Sequence, residues 1–429
     1  MNRSDKTNKI IKICIFLAVA TCSFDIFANV TFLGFNFRFC QFILFPVIFL
    51  MILRIVKNRK AELYLGMRYL LVWLAFQILF IGISPDLGNA VAYTLWLIFN
   101  ILTVYLIVYY SDRVFTLEEF MRFYMDSFFA MAVLGFLQMI LYFCGISFYV
   151  TQKWNHYLCR INGFTFEPSY YATYMLIGFV MYAYLLEKKN ENIMKRRTMK
   201  IKFFIITAAM VLASSRMGWL LMLLWLAIRC INRVYYEIRG GLSVQRILHL
   251  CLAMGMGVLG FLLIWVCLFK NGPLSFMLNG LGLYGQSAHS VSSRLSGLCK
   301  DMQIFWEHPW LGVSLGGVAP AIAQYNGVTY DSSHNGGSMI LPGELLVANG
   351  IIGMVPFLLY IGSLLLESRW WRQDFEKYPL CDVYRAVEWA FIFELIILCL
   401  NQNILRMYVW IHIGILCALH KKWKESTEA

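Results

Sequence analysis

About a dozen long apolar runs follow one another through this chain, and that succession limits the fold more than any other feature. A helix needs about 20 apolar residues to cross the hydrocarbon of a bilayer, and its backbone polar groups must be satisfied internally. Runs near 10–28, 36–53, 67–83, 91–110, 126–146, 169–186, 202–215, 217–232, 247–269, 345–366, 386–401 and 405–420 predict about twelve spans. The seventh and eighth are short and meet at Ser214-Ser215-Arg216, and the last two meet at Asn401-Gln402-Asn403. Of 429 residues, 60% are hydrophobic and only 14% are charged, too few to cover the surface of a soluble protein of this size. The expected fold class is therefore all-α, a polytopic transmembrane helix bundle.

The net charge of +13 would raise nucleic acid as a partner in a soluble protein. Here the basic residues sit in short clusters between apolar runs, which is the pattern of topology signals, and no nucleic-acid binding is expected. With the N-terminus cytoplasmic, all but eight of the 37 Lys and Arg residues fall on the cytoplasmic side. The eight are Arg38, Lys153, Arg160, Arg216, Lys270, Arg294, Lys300 and Arg406. Dropping one span would invert every later loop and destroy this contrast, so both termini are expected inside. The first run follows Arg3, Lys6 and Lys9 like a signal peptide. It is long, carries Asp25 and leads straight into a second span, so it reads as a retained helix. The chain then divides into a bundle over 1–269, a large polar loop over 270–344, and a second membrane portion over 345–429. The large loop and the smaller loop from Gly145 to Pro168 face away from the cytoplasm. No GxxxxGK[ST] run is present, and nucleotide-driven chemistry on that face is not expected. Nor does HExxH or Asp-x-Asp spacing occur, and no metal is expected. The twelve cysteines form no CxxC pair, and most read as small buried hydrophobes. A Cys159–Cys299 disulfide does not follow from spacing.

The few outer cations carry the chemical interest. Arg216 lies between two short runs, and an Arg at mid-helix costs about 2.5–3.5 kcal/mol on insertion scales, so Ser214-Ser215-Arg216 reads as a break facing a cavity. Its plain alternative is a turn in the headgroup region. In Arg160-Ile161-Asn162-Gly163-Phe164-Thr165-Phe166-Glu167-Pro168, Pro168 suits the first turn of a helix, with Glu167 at that helix's positive end. Capping explains Glu167 but not Arg160. Ser292 to Glu307 has helical spacing and carries Arg294 near its start, where the helix dipole disfavours a cation and an anionic partner would explain it. His308-Pro309 and Gly312 read as a tight return. His334, beside Gly336-Gly337 at the mouth of a span, has the chemistry of a general base, although a lone His is more often structural. Guanidinium and imidazole groups on one face suit a phosphate-bearing ligand.

These pieces together resemble the O-antigen polymerase and O-antigen ligase superfamily of bacterial envelope enzymes. The resemblance rests on Gly163 to Ser169 with Glu167-Pro168, on Ser215-Arg216, and on Ser293-Arg294 followed by Trp306, His308-Pro309 and Leu311-Gly312. It rests also on His334-Asn335 with Glu344 and Gly350-Ile351-Ile352-Gly353. It implies a GT-C-like glycosyltransferase of the cytoplasmic (inner) membrane, with its active site outside and short helices in the large loop. No metal, nucleotide sugar or other cofactor is implied. The donor would be a glycan on undecaprenyl diphosphate and the acceptor a sugar hydroxyl, with membrane lipid around them and a chain-length regulator as a further partner. Arg216 and Arg294, with Arg160 third, would hold the diphosphate; His334 first and Glu167 second would serve the hydroxyl. Aromatic residues such as Trp154, Tyr157, Phe164 and Tyr170 would stack on sugars or anchor the interface. The pattern around Arg160 to Ser169 favours polymerase over ligase, which would transfer to lipid A core. A lipid-linked glycan transporter or flippase is the alternative of another class, disfavoured by the absence of a visible repeat.

Overall fold

The computed structural model describes residues 3–32, 35–59, 61–239, 289–331, 340–366, 378–401 and 404–428, with scattered residues between 252 and 275. Among the described residues the regular structure is helical apart from a hairpin of two three-residue strands, β1 (Val30–Phe32) and β2 (Phe35–Phe37), and two isolated bridges, Ser111–Phe115 and Lys153–Cys159. The helices are α1 (Arg3–Ala20), α2 (Phe39–Asn58), α3 (Met67–Leu79), α4 (Leu87–Tyr110), α5 (Leu117–Phe143), α6 (Pro168–Lys188) and α7 (Arg196–Leu212). They continue as α8 (Arg216–Arg239), α9 (His289–Glu307), α10 (Val318–Tyr325), α11 (Leu341–Leu366), α12 (Cys381–Asn401) and α13 (Met407–Glu428). Six of these, α2, α4, α5, α6, α8 and α11, are long and apolar enough to cross a membrane. The run expected at 247–269 lies mostly outside the described residues.

Helix α6 is the hub. Within its apolar window 78% of residues are buried, against 17% for α8, so α6 is enclosed by protein while α8 lies at the periphery. Its sequence is apolar on every face, as a fully enclosed helix requires. Its tyrosine hydroxyls are satisfied by neighbours: Tyr171 donates to Met131 O (3.0 Å), Tyr182 donates to Met125 O (3.3 Å), and Tyr174 pairs with Ser127 (2.9 Å). Leaving such a hydroxyl buried and unmade costs about 1–3 kcal/mol. Around this hub α6 packs on α12 and α7, α4 on α13, α3 on α11 and α1 on α2.

The connecting segments gather at two ends. At one end Arg54 reaches Asn8, Glu62 bridges Arg113 and Lys421, and Asn190 reaches Asp382. At the other, Asp25 binds Arg406, Arg160 binds the turn at Ala213-Ser214, and Asn89 donates to Gly316 O. This second end carries the segments where chemistry is expected.

Two departures from the sequence reading matter there. The first helix stops at Ala20 rather than reaching 28. Thr21 turns its hydroxyl back onto Leu17 O, and Thr-Cys-Ser is a poor helix continuation. Asp25 thus lies beyond the helix, in the end region. Second, α11 is broken at Gly350, whose φ of 56° and ψ of −167° are not helical. The break exposes two N–H groups and two carbonyls, and the segment after α9 satisfies all four. Ile351 N donates to Pro309 O (2.8 Å) and Ile352 N to Trp310 O (3.1 Å), while Val347 O and Ala348 O each accept at 2.9 Å from Val313 N and Ser314 N. Non-helical backbone inside an apolar helix is tolerated where protein satisfies its polar groups in this way.

Candidate functional site: an arginine cluster at one end of the bundle

The site is built where helices are interrupted. Between α7 and α8 the chain turns through Ser214, at a φ of 52°, and α8 restarts at Arg216. Arg160 explains the turn's stability. Its Nε donates to Ala213 O (3.2 Å), its Nη2 to Ser214 O (2.7 Å) and its Nη1 to Gln152. A guanidinium at a helix C-terminus satisfies orphan carbonyls and complements the dipole. Two of its five N–H groups are used in this way and a third on Gln152, so among the described residues two are left to meet a ligand. All three acceptors are neutral, so they do not cancel its charge. Burial pushes the Arg160 pKa down to about 10; Arg216 repels it in the same direction, and Glu167 opposes the shift.

The segment from Arg160 to Glu167 is held from both sides. Gln138 accepts from the N–H groups of Asn162 and Gly163 (3.0 Å each), and the Asn162 amide donates to Thr165 O (2.8 Å). Glu167 occupies the N-cap of α6 with Pro168 in the first turn, and its carboxylate accepts from the Ser169 hydroxyl at 3.0 Å. The local rules for helix starts therefore place Glu167 correctly at the positive end of a helix.

Arg294 lies on α9, and its charge acts on Arg216, which in turn acts on Arg160. Arg216 thus lies within electrostatic range of both Arg160 and Arg294, residues of two other segments. The Ser214 hydroxyl at this turn is buried and makes no hydrogen bond among the described residues.

A second cluster, not foreseen from the sequence, lies beside the first. Asp25 receives Arg38 Nε at 3.1 Å and Arg406 Nη1 at 2.8 Å, and all three side chains are largely buried. Arg406 lies over the Tyr170 ring at 4.0 Å, and Arg38 over Trp96 at 5.1 Å. The Asp25 and Ile26 N–H groups both donate to Phe164 O (2.8 and 3.1 Å), so this knot pins the segment that carries Glu167. Tyr93 lies within electrostatic range of both Glu344 and Arg406, so Glu344 at the start of α11 belongs to the same end.

Other expected residues fall elsewhere. His334 lies outside the described residues. His308 is exposed and forms the turn after α9, its N–H donating to Ile304 O and its carbonyl accepting from Gly312, so it is punctuation. Phe164 packs in a ring cluster with Phe24, Phe27, Phe148 and Tyr149, and Tyr170 lies beneath Arg406. Cys159 is a buried free thiol and Cys299 an exposed one.

Compared with known proteins, no family model matches the chain and no curated protein matches it.

Proposed function

We propose that this chain is a metal-independent glycosyltransferase that polymerises oligosaccharide repeat units carried on undecaprenyl diphosphate. On this reading it is a GT-C-like protein of about twelve spans in a bacterial cytoplasmic membrane, with both termini cytoplasmic and the arginine end outside. The expected spans other than 247–269 each overlap a described helix, and six of these helices are long and apolar enough to cross a membrane. The segments assigned to each side meet one another at a common end, which supports the alternating threading.

The observation that carries the reading is that Arg216 lies within electrostatic range of both Arg160 and Arg294, which come from other segments, with Glu167 close to Arg160. In the reaction, an acceptor hydroxyl oxygen forms a bond to the anomeric carbon of the donor. The bond from that carbon to the diphosphate breaks, and the electron pair leaves with the lipid diphosphate. Preorganised guanidinium groups stabilise that growing charge with little reorganisation. Arg216 and Arg294 are assigned to the diphosphate. Arg160 holds the turn that bears Arg216 and adds charge. The hydroxyl proton goes to a base: His334 is the first candidate, from the resemblance, and Glu167, close to Arg160 in the described site, is the second.

The test is direct. Purified protein is given undecaprenyl-diphosphate-linked repeat units without nucleotide or metal. Longer glycans plus free undecaprenyl diphosphate support the proposal. Transfer that begins only when lipid A core is added makes the chain a ligase, and substrate crossing the bilayer without any new glycosidic bond makes it a transporter. Arg216→Ala and Arg294→Ala should each abolish chain growth while leaving folding intact; a variant with unaltered turnover removes its residue from the site.

A further inference from the structure

At the end of the bundle away from the arginine cluster, a groove of about 630 Å³ lies along the seam of α1 and α5. Two contacts set these helices parallel and in register. Lys12 meets Glu119 at 2.5 Å, and one turn further along each helix the rings of Phe16 and Phe123 lie 4.7 Å apart. Side chains on a helix lean toward its own N-terminus. In a parallel pair the groove's cations therefore lean toward one shared end, the start of both helices. Ile13, Phe16, Leu17 and Phe123 supply its apolar wall. Ile13 is 55% exposed and Leu17 43%, so the protein itself leaves this part of the wall uncovered.

The charges along the groove do not cancel. Its two carboxylates are each already met, Glu119 by Lys12 and Asp126 by Lys202 of α7, both at 2.5 Å. Lys9 and Arg122 also line the groove; both are exposed, and neither makes a hydrogen bond or ion pair among the described residues. Two uncompensated cations thus stand beside an apolar trough. From Lys9 to Leu17 the trough runs about 12 Å along α1, at 1.5 Å per residue. A soluble anion would answer the cations and leave the trough bare. A lipid without net charge would fill the trough and leave the cations unanswered. A ligand with a net negative headgroup and an acyl chain satisfies both.

We propose that this groove binds one anionic phospholipid, with its headgroup phosphate at Lys9 and Arg122 and an acyl chain against Ile13, Leu17 and Phe123. The assignment of a leaflet rests on the threading proposed above, which turns this end to the cytoplasm, where the membrane surface is negative. Binding itself requires only that the chain sit in a bilayer. It does not require glycosyl transfer, so its failure and the failure of chain growth are read in separate assays.

Full-length protein purified in detergent is titrated with phosphatidylglycerol or phosphatidylcholine, and retained lipid is read by native mass spectrometry. Wild type should hold one phosphatidylglycerol saturably and release phosphatidylcholine. Lys9→Gln and Arg122→Gln should each weaken phosphatidylglycerol about fivefold, whereas Lys57→Gln, exposed at the same end on α2, leaves it unchanged. Leu17→Trp fills the trough with every charge kept; it should also weaken retention, and it serves if a charge variant fails to fold. Glycerol 3-phosphate, which carries the headgroup charge without the chain, should not displace the lipid. Equal retention of the two phospholipids, displacement by glycerol 3-phosphate at matched concentration, or wild-type retention in the groove variants overturns the proposal.

Discussion

Gly350→Ala tests whether the break in α11 is what holds the second half of the site. The backbone there lies in a region reserved for glycine, and occupying it with another residue costs about 1–3 kcal/mol. A Cβ would also sit 2.5 Å from the carbonyl carbon and oxygen of Trp310 and 2.7 Å from Gly312 N. These atoms are backbone and cannot rotate away, so overpacking adds about 1–3 kcal/mol. The total is about 2–6 kcal/mol. Relief requires the segment 309–314 to move, which breaks up to four hydrogen bonds along the interruption and displaces α9 with Arg294.

The assay is reversible SDS titration in bicelles, with Gly362→Ala as the internal control. Gly362 lies in the same helix, and a Cβ added there would meet no atom within 4 Å, so alanine should be neutral or stabilise by up to about 1 kcal/mol. Gly350→Ala should unfold at markedly lower SDS and also lose pyrophosphate binding. If the two variants unfold within error of each other, the break is not a fixed feature and the anchoring argument for α9 fails.

Three further outcomes follow from the geometry. Pyrophosphate binding in the wild type should lose Arg160's contribution as pH rises through about 10, because burial lowers its pKa to that value and the neutral form above it attracts no anion; the step should be missing from a pH titration of Arg160→Gln. Asp25→Asn removes the carboxylate shared by two largely buried guanidiniums and should destabilise by about 3–5 kcal/mol, and adding Arg38→Gln should recover part of the loss in a double-mutant cycle. His412 and Glu394 are fully buried and 2.6 Å apart between α13 and α12, so Glu394→Leu should cost about 3–5 kcal/mol while the double replacement by leucine costs less than the sum of the single changes; additivity in equilibrium unfolding would refute the coupling.

How much of this was legible depended on whether a residue's partner was local. The α7–α8 break was visible because Ser-Ser-Arg interrupts two runs that are each too short. Glu167-Pro168 announced a helix start by local rules alone. Asp25 was misplaced inside a span because phenylalanines and isoleucine surround it, and apolar density alone gives no sign that the helix has ended. Arg38 and Arg406 were recognisable as outer cations, yet nothing local joins them: Arg406 meets Asp25 across 381 residues. The Gly350 break was hidden for a similar reason. A glycine inside a 26-residue apolar helix has the same local appearance as Gly362, and only the approach of Trp310 distinguishes them. The Glu394–His412 pair lies within two apolar runs whose periodicity says nothing about which faces meet.

The breaks and the charges coincide, and the coincidence has a physical cause. An intact apolar helix presents no free backbone group and no reason to accept a guanidinium. Each interruption at this end does the opposite. The α7–α8 turn offers carbonyls that Arg160 satisfies, the gap before α13 brings Arg406 to Asp25, and the α11 break docks the segment that follows α9 and Arg294. Charge at this end is therefore tied to helix ends through such contacts, which limits reorganisation when a ligand's charge changes. On the proposed reading the ligand is the headgroup of a lipid whose tail stays in the bilayer. Its diphosphate must then sit near the membrane surface, where interrupted helices can meet it without lowering its charge into hydrocarbon. A soluble anion would impose no such depth. The proposed reading therefore requires Arg216 and Arg294 to discriminate lipid diphosphate from inorganic pyrophosphate by more than charge. Competition between the two ligands for binding in nanodiscs measures that directly: the lipid should win by orders of magnitude in wild type, and equal affinity would show that the site reads phosphate alone.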